Sequence, residues 1–349
     1  MTTYRTLGRT GVKVSPLTLG AMNFGARGNP DHEDGIEIIH RALDAGINVI
    51  DTADVYAQGE SEQIVGRALA GGRRDEVFLA TKFHGRMGDN PHHEGNSRRW
   101  IVKAVENSLR RLNTDHIDLY QAHRPDESAD FEETIGALTD LVRQGKIRYF
   151  GTSVHSPAQI VEGQWTAERR GFLRPVSEQI PYSLLIRSNE REVLPLAQKY
   201  GLGVLTYGPL AAGWLSGRYR AGARQPESYR KDWIPDRYDI AAPHNADKLA
   251  AAEALATLAE EAGLPLVHLS VAFALNHPAV SSVIIGPRTR EHLDTYLGAL
   301  DVRLTAALLD RIDEIVPPGH VFHLRDTGAL PPSVSVSAQR RRHSSASSS

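Results

Sequence analysis

The stretch Leu19–Pro30, LGAMNFGARGNP, decides between two folds. It overlaps the end of a short apolar run, PLTLGAMNF, which reads as the first long strand of the chain. A doubly wound sheet binding a dinucleotide would want a GxGxxG turn at this point, so that the backbone can approach a pyrophosphate. The glycines here do not keep that spacing. The turn therefore argues against a separate dinucleotide-binding domain and for a closed barrel.

Working outward, the chain alternates in a regular way. Seven further apolar, β-branched runs follow, NVIDTA, VFLATKF, IDLYQAH, IRYFGTS, RPVSEQI, GVLTYGPL and SSVIIGP. Segments with helical spacing lie between them. In SRRWIVKAVENSLRRLN, Ile101, Val105, Leu109 and Leu112 share one face and the arginines take the other. Ser156-Pro157 reads as an N-cap followed by proline at the first helical position. Ahead of these elements, YRTLGRTGVKVSPLTLG has the period and the glycine turn of a hairpin. The reading is an α/β fold, a (β/α)8 barrel of the TIM type with an N-terminal β-hairpin and long loops at its C-terminal face. One domain is expected over residues 1–332, with a low-complexity, disordered tail over 333–349.

With 41% apolar and 23% charged residues, the 349-residue chain can bury a large core. A formal charge of −2 offers no attraction to nucleic acid or an anionic membrane. The absence of cysteine excludes disulfides, thiolate zinc and thiol catalysis. The opening MTTYRTLGRTGVKVS lacks the apolar core of a secretory signal, and no run approaches the ~20 apolar residues that span a bilayer. The expected location is cytoplasmic. His84, His92 and His93 share a loop with Asp89 and Glu94, but the order is not HExxH, so no metal site is expected and a polar lid loop is the better reading.

In a barrel, side chains at the C-terminal ends of the strands converge on one mouth. Those positions hold Asp51, Lys82, His123, Ser153, Gln179 and Tyr207, with Tyr56 in the loop beyond Asp51. Singly, each has a bland account as a cap, a snorkelling lysine, a structural histidine or a rim aromatic. Together they form an ionisable set of complementary charge. A free phenol titrates near ~10, too high for an efficient acid at neutral pH. A lysine cation beside it favours the phenolate, an aspartate keeps that lysine charged, and a histidine can orient a carbonyl. Such a set suits carbonyl reduction, and the hydride must come from a nicotinamide cofactor because no side chain supplies one.

These residues resemble the aldo-keto reductases. NVIDTADVYAQGESEQIVGRAL resembles the family's Asp-to-Tyr signature, VFLATKF its lysine strand and HIDLYQAHRP its histidine strand. YGPLAAGWLSGRY is similar to the bacterial and potassium-channel-β-like branches. The resemblance runs from the hairpin to about Pro317 and implies a catalytic tetrad of Asp51, Tyr56, Lys82 and His123. It also implies cofactor contacts at Gly20, Met22, Asp51, Ser153, Gln179, Tyr207, Gly208, Pro209, Leu210, Ser216, Arg218, Gly286, Arg288 and His292. Val154 stands where many relatives have Asn, so one hydrogen bond to the carboxamide is lost. His292, Thr295 and Tyr296 replace residues usual near the adenosine. Loss of an acid there, with Arg288 and His292 present, points to NADP, with NAD as the alternative. Phe24, Tyr56, His123 and Trp233 are substrate-site candidates, as is Trp214.

The implied activity is reversible reduction of an aldehyde, ketone or keto-sugar carbonyl. The competing reading is a non-catalytic, nucleotide-sensing β-subunit-like protein. A small-molecule partner is expected, with neither nucleic acid nor membrane, and assembly into a homo-oligomer is left open. Three long connections, His84 to Asn96, Arg218 to Asn245 and the segment after Pro317, are expected to set the substrate.

Overall fold

Among the described residues, ten strands form where β-branched and aromatic residues cluster between turns, and eight of them close on themselves. The structure is a computed structural model that describes residues 3–26, 28–224, 226 and 234–340. After the antiparallel hairpin of β1 (Arg5–Thr6) and β2 (Lys13–Val14) come β3 (Leu17–Gly20), β4 (Val49–Asp51), β5 (Phe78–Phe83) and β6 (Ile117–Ala122). The series continues with β7 (Ile147–Ser153), β8 (Ser177–Pro181), β9 (Gly203–Tyr207) and β10 (Val280–Ile285). From β3 to β10 the strands pair in parallel and in sequence order, and β10 pairs with β3 to seal the barrel. Closure leaves the barrel sheet without an edge strand.

A helix returns the chain after each strand of the barrel. These are α1 (His32–Asp44), α2 (Glu60–Ala68), α3 (Arg98–Leu112), α4 (Phe131–Arg143), α5 (Pro157–Arg170) and α6 (Val193–Tyr200). Beyond β9 lie α7 (Pro235–Tyr238), α8 (Ala246–Glu261) and α9 (Leu266–Asn276), and beyond β10 lie α10 (Arg290–Leu297) and α11 (Ala306–Ile315). On α3, Ile101, Val105 and Leu112 are buried against the barrel. Ser156 starts α5 with a reciprocal capping box to Gln159, Pro157 taking the first turn where no N–H is needed.

Two apolar layers result. The outer layer lies between strands and helices, and the inner cluster fills the lower barrel with Val49, Ala80, Leu119, Leu205 and Ile284. Leu7 and Val14 of the hairpin join that inner cluster, so the hairpin plugs the N-terminal end. Only the C-terminal end stays available for chemistry. The stretch read as a disordered tail, 333–349, carries most of one single turn, α12 (Pro332–Ser335), and the whole of a second, α13 (Ser337–Arg340), and residues 341–349 lie outside the described residues. Among the described residues no single helix is long and apolar enough to cross a membrane, and the Pro243–Glu261 and Leu266–Asn276 pair reaches that length only across a 97° bend.

Candidate active site

Period two along the strands builds the site from the inner cluster upward. Val49 faces into the barrel, so Asp51, two residues on, faces the same way while Ile50 turns to the helices. The same alternation carries Ala80 to Lys82 on β5, and Leu119 to Gln121 on β6 and then to His123 just past its end. Strand register sets Lys82 beside Gln121, and Ser153 beside Gln179.

Lys82 is wholly buried, and each of its three ammonium protons finds an acceptor. It donates to Asp51 Oδ1 at 2.5 Å, to the Thr52 carbonyl at 2.8 Å and to the Tyr56 hydroxyl oxygen at 3.2 Å. Burial works against the cation, but Asp51 and Tyr56 outweigh it, and the Lys82 pKa is raised above the usual lysine value. The second oxygen of Asp51 accepts from the amides of Gln179 at 2.9 Å and Gln121 at 3.2 Å. Asp51 is thereby held at both oxygens.

Tyr56 starts a short 3-10 turn, Tyr56–Gly59, in which Ala57 and Gln58 adopt left-handed backbone at φ 46° and 56°. Because Lys82 donates into its oxygen, the hydroxyl proton of Tyr56 must point elsewhere. His123 lies edge-on to the phenol ring, centroids 5.7 Å apart. Burial, then the positive charges of Lys82 and Arg124, hold His123 well below the ordinary histidine value. It is a neutral imidazole with one N–H to donate. Asp54, the second acid of the NVIDTADVY stretch, stands apart: it is buried, and burial, then the charge of Glu62, raises its pKa well above the usual range.

The residues expected to meet a cofactor form two groups. At the end of β7 the Ser153 hydroxyl donates to the Gln179 carbonyl at 2.9 Å, and Val154 follows in left-handed backbone at φ 53°. Tyr207 ends β9, and Gly208, Pro209 and Leu210 open the tight turn beyond it, where the Ala211 N–H donates to the Gly208 carbonyl at 2.8 Å. Arg218 donates to Ser216 at 3.2 Å. On the other side, Gly20 ends β3 where a methyl group would come within 2.7 Å of Ile284, and Met22 is exposed in the loop beyond. The Gly286 carbonyl accepts from Asn23 at 2.8 Å.

His292 lies in the first turn of α10, and burial, then Arg288 and Arg218, lower its pKa. The charges of Arg218, from beyond β9, and Arg288, from beyond β10, are thus both felt at His292, which makes this corner positive. That corner, the turn at Gly208 and the aromatic at Tyr207 fit the phosphates and a ring of a dinucleotide.

Some candidates fall elsewhere. Phe24 is fully buried against Gly35 of α1 and belongs to the layer between barrel and helices, so it is not a wall of the mouth. Its place in an irregular turn after β3 gave no period from which to foresee this. Trp214 is also fully buried, stacked on Tyr219 at 4.5 Å with the Lys248 ammonium 4.7 Å from its ring. Trp233 lies outside the described residues. Of the loop histidines, His84 is hydrogen-bonded to Asn96 at 3.0 Å and His93 stacks on Trp100 at 5.1 Å. Among the described residues, no group of three or more His, Asp or Glu side chains could hold a metal ion. That loop instead borders a polar cavity of about 550 Å³, with Arg86, Glu94, Asp126 and Glu133 among its walls, separate from the tetrad. Gln121 was missed in the sequence, although its place two residues before His123 put it on the same strand face.

The model of the aldo/keto reductase family matches residues 16–317. A probable voltage-gated potassium channel subunit beta of Arabidopsis thaliana is 36% identical over 322 residues, covering 90% of this chain and 96% of that protein. An uncharacterized oxidoreductase of Bacillus subtilis, YrpG, is 38% identical over 331 residues, covering 90% and 97%. A putative channel subunit beta of Schizosaccharomyces pombe is 34% identical, covering 90% and 93%. On a closed eight-stranded barrel, with Asp51, Tyr56, Lys82 and His123 at its mouth, these matches agree: the chain belongs to the aldo/keto reductase family, in the potassium-channel-β-like branch, and its chemistry is that of an oxidoreductase.

Proposed function

We propose that the protein reduces the carbonyl of an aldehyde, ketone or keto-sugar to an alcohol with NADPH, and runs the reverse reaction when the alcohol is in excess. The observation that carries this reading is the saturation of Lys82, whose third proton goes to the oxygen of Tyr56 at 3.2 Å. The phenol keeps its own proton for a substrate, and a cation sits where the oxygen would be left negative. His123, neutral, donates its N–H to the carbonyl oxygen and orients it. As negative charge builds on that oxygen, Tyr56 hands over its proton and Lys82 stabilises the phenolate. Asp51, clamped by Gln121 and Gln179, keeps Lys82 charged. A bound nicotinamide would supply the hydride; Ser153, Gln179 and Tyr207 would hold it, with Arg218, Arg288 and His292 on the phosphates. We place the protein in the cytoplasm, with a small molecule as its substrate.

The test is Tyr56→Phe, with NADPH consumption followed over a panel of aldehydes, ketones and keto-sugars. The turnover rate falls by about 10²–10⁴-fold while NADPH affinity is kept. A variant that retains most of its rate overturns the assignment. The names of two relatives favour a second reading, a nucleotide-sensing subunit that binds NADPH and turns nothing over.

A further inference from the structure

The family match ends at residue 317, yet the chain continues in ordered contact with the barrel mouth. Two anchors hold this continuation. The first is backbone pairing: Val321 bridges Ile186, and Arg187 N–H donates to the His320 carbonyl at 2.8 Å. The second is ionic. Asp326 is fully buried and accepts from Arg237 at 2.5 Å and from Lys248 at 2.6 Å. Arg237 belongs to α7 and Lys248 to α8, so one carboxylate ties the end of the chain to two parts of the connection after β9.

Two residues past Asp326, the chain dips onto the mouth. Gly328 has φ 97° and ψ −45°, a conformation that favours glycine. A Cβ there would lie 2.6 Å from both the Tyr207 hydroxyl oxygen and Val154 Cγ1, and 3.5 Å from Pro181. The glycine is therefore required twice over, by its backbone angle and by the close approach. The residues beneath it stand at or just beyond the ends of β7, β8 and β9. Val154 is itself β-branched in left-handed backbone, which persists only where surroundings hold it.

We propose that residues 321–328 form a positioning strap: the Asp326 ion triad anchors it so that Gly328 holds Tyr207 and Val154 as walls of the nicotinamide site. Gly328 and Asp326 act through those two residues and touch no reacting atom. The Val154 side chain makes no hydrogen bond to a carboxamide, so its part is packing, and the strap supplies the other side of that contact. This rests on the cofactor reading above.

The experiment is Gly328→Val in the full chain, with two readouts. Amide hydrogen exchange without cofactor reports the strap itself. The Val154 N–H, which donates to the Gln179 carbonyl, and the Tyr182 N–H, which donates to the Tyr207 carbonyl, exchange about tenfold faster in the variant. NADPH titration and steady-state kinetics report the consequence. The NADPH concentration for half-saturation rises about tenfold, and by more than the maximal rate falls, a split that a general loss of folded protein would not produce. Gly328→Ala, with less overlap, gives the same pattern at smaller size and serves if the valine variant does not fold. Exchange unaltered in a folded variant overturns the strap, as does faster exchange with NADPH affinity unmoved. A wild-type protein that binds no NADPH sinks the proposed function instead. The exchange readout then decides the strap alone, faster exchange supporting it as the organiser of Tyr207 and Val154.

Discussion

Replacing Asp51 with asparagine removes one negative charge from beside a wholly buried ammonium group. Lys82 then keeps only the Thr52 carbonyl and the Tyr56 oxygen as certain acceptors. An unpaired charge at such depth costs about 3–5 kcal/mol, but the protein has an escape, because Lys82 can fold neutral. Folding it neutral at pH 7 costs the difference from the ordinary lysine pKa of 10.5, which at ~1.4 kcal/mol per pH unit sets a ceiling of about 5 kcal/mol. That ceiling falls as the pH rises, to about 1.4 kcal/mol one unit below 10.5. The sign agrees with the wild type, whose raised Lys82 pKa stabilises the fold below the unfolded value and loses that contribution as pH climbs through the folded one. A second cost does not vary with pH. The Asn amide would meet the amides of Gln121 and Gln179, donor against donor, adding about 1–3 kcal/mol unless the glutamines turn over. Urea denaturation of Asp51→Asn and wild type at neutral and mildly alkaline pH measures both parts. We expect a loss of several kcal/mol at neutral pH whose pH-dependent part shrinks by more than half one unit below 10.5, while the amide part stays. A loss that is the same at both, or under about 1 kcal/mol at neutral pH, refutes the account of Lys82 as a cation maintained by Asp51.

The positive corner gives a second expectation. Arg288→Ala raises the NADPH concentration for half-saturation about tenfold or more and leaves NADH binding little changed, since only NADPH carries the extra phosphate; equal losses for both, or none, refute it. A third concerns acid. Burial pushes His155, which is 3% exposed, down from 6.5 to about 4, so it folds neutral. Its contribution is whole above pH 6.5 and is lost as pH falls toward 4, about 3 kcal/mol over that window. Urea midpoints of wild type and His155→Gln at neutral and acid pH isolate it, and an equal acid loss in both proteins excludes His155 as the cause.

Much of the fold was legible because strand and helix periods are local. An alternation of apolar and other residues over a few positions says which side chains share a face, and that sufficed to place Asp51, Lys82 and His123 at strand ends on one mouth. The cap at Ser156-Pro157 was legible for the same reason, since capping involves only residues within one turn. Phe24 and Trp214 were not, because both lie in irregular turns where no period reveals direction, and both are fully buried.

By itself, then, the sequence determined the alternation of strands and helices, the closed barrel, the four-residue array and the family signature, all carried by short-range pattern. Only the tertiary structure decided which distant residues meet. It turned Gln179 and Gln121 onto the second oxygen of Asp51, and brought His292 within reach of the charges of Arg218 and Arg288. It also carried Asp326 back to Arg237 and Lys248, seating Gly328 on Tyr207. Those meetings follow from barrel closure and from the long connections that cross its mouth. Ion pairs and close contacts across such connections depend on the path of the backbone, which no neighbouring residue records.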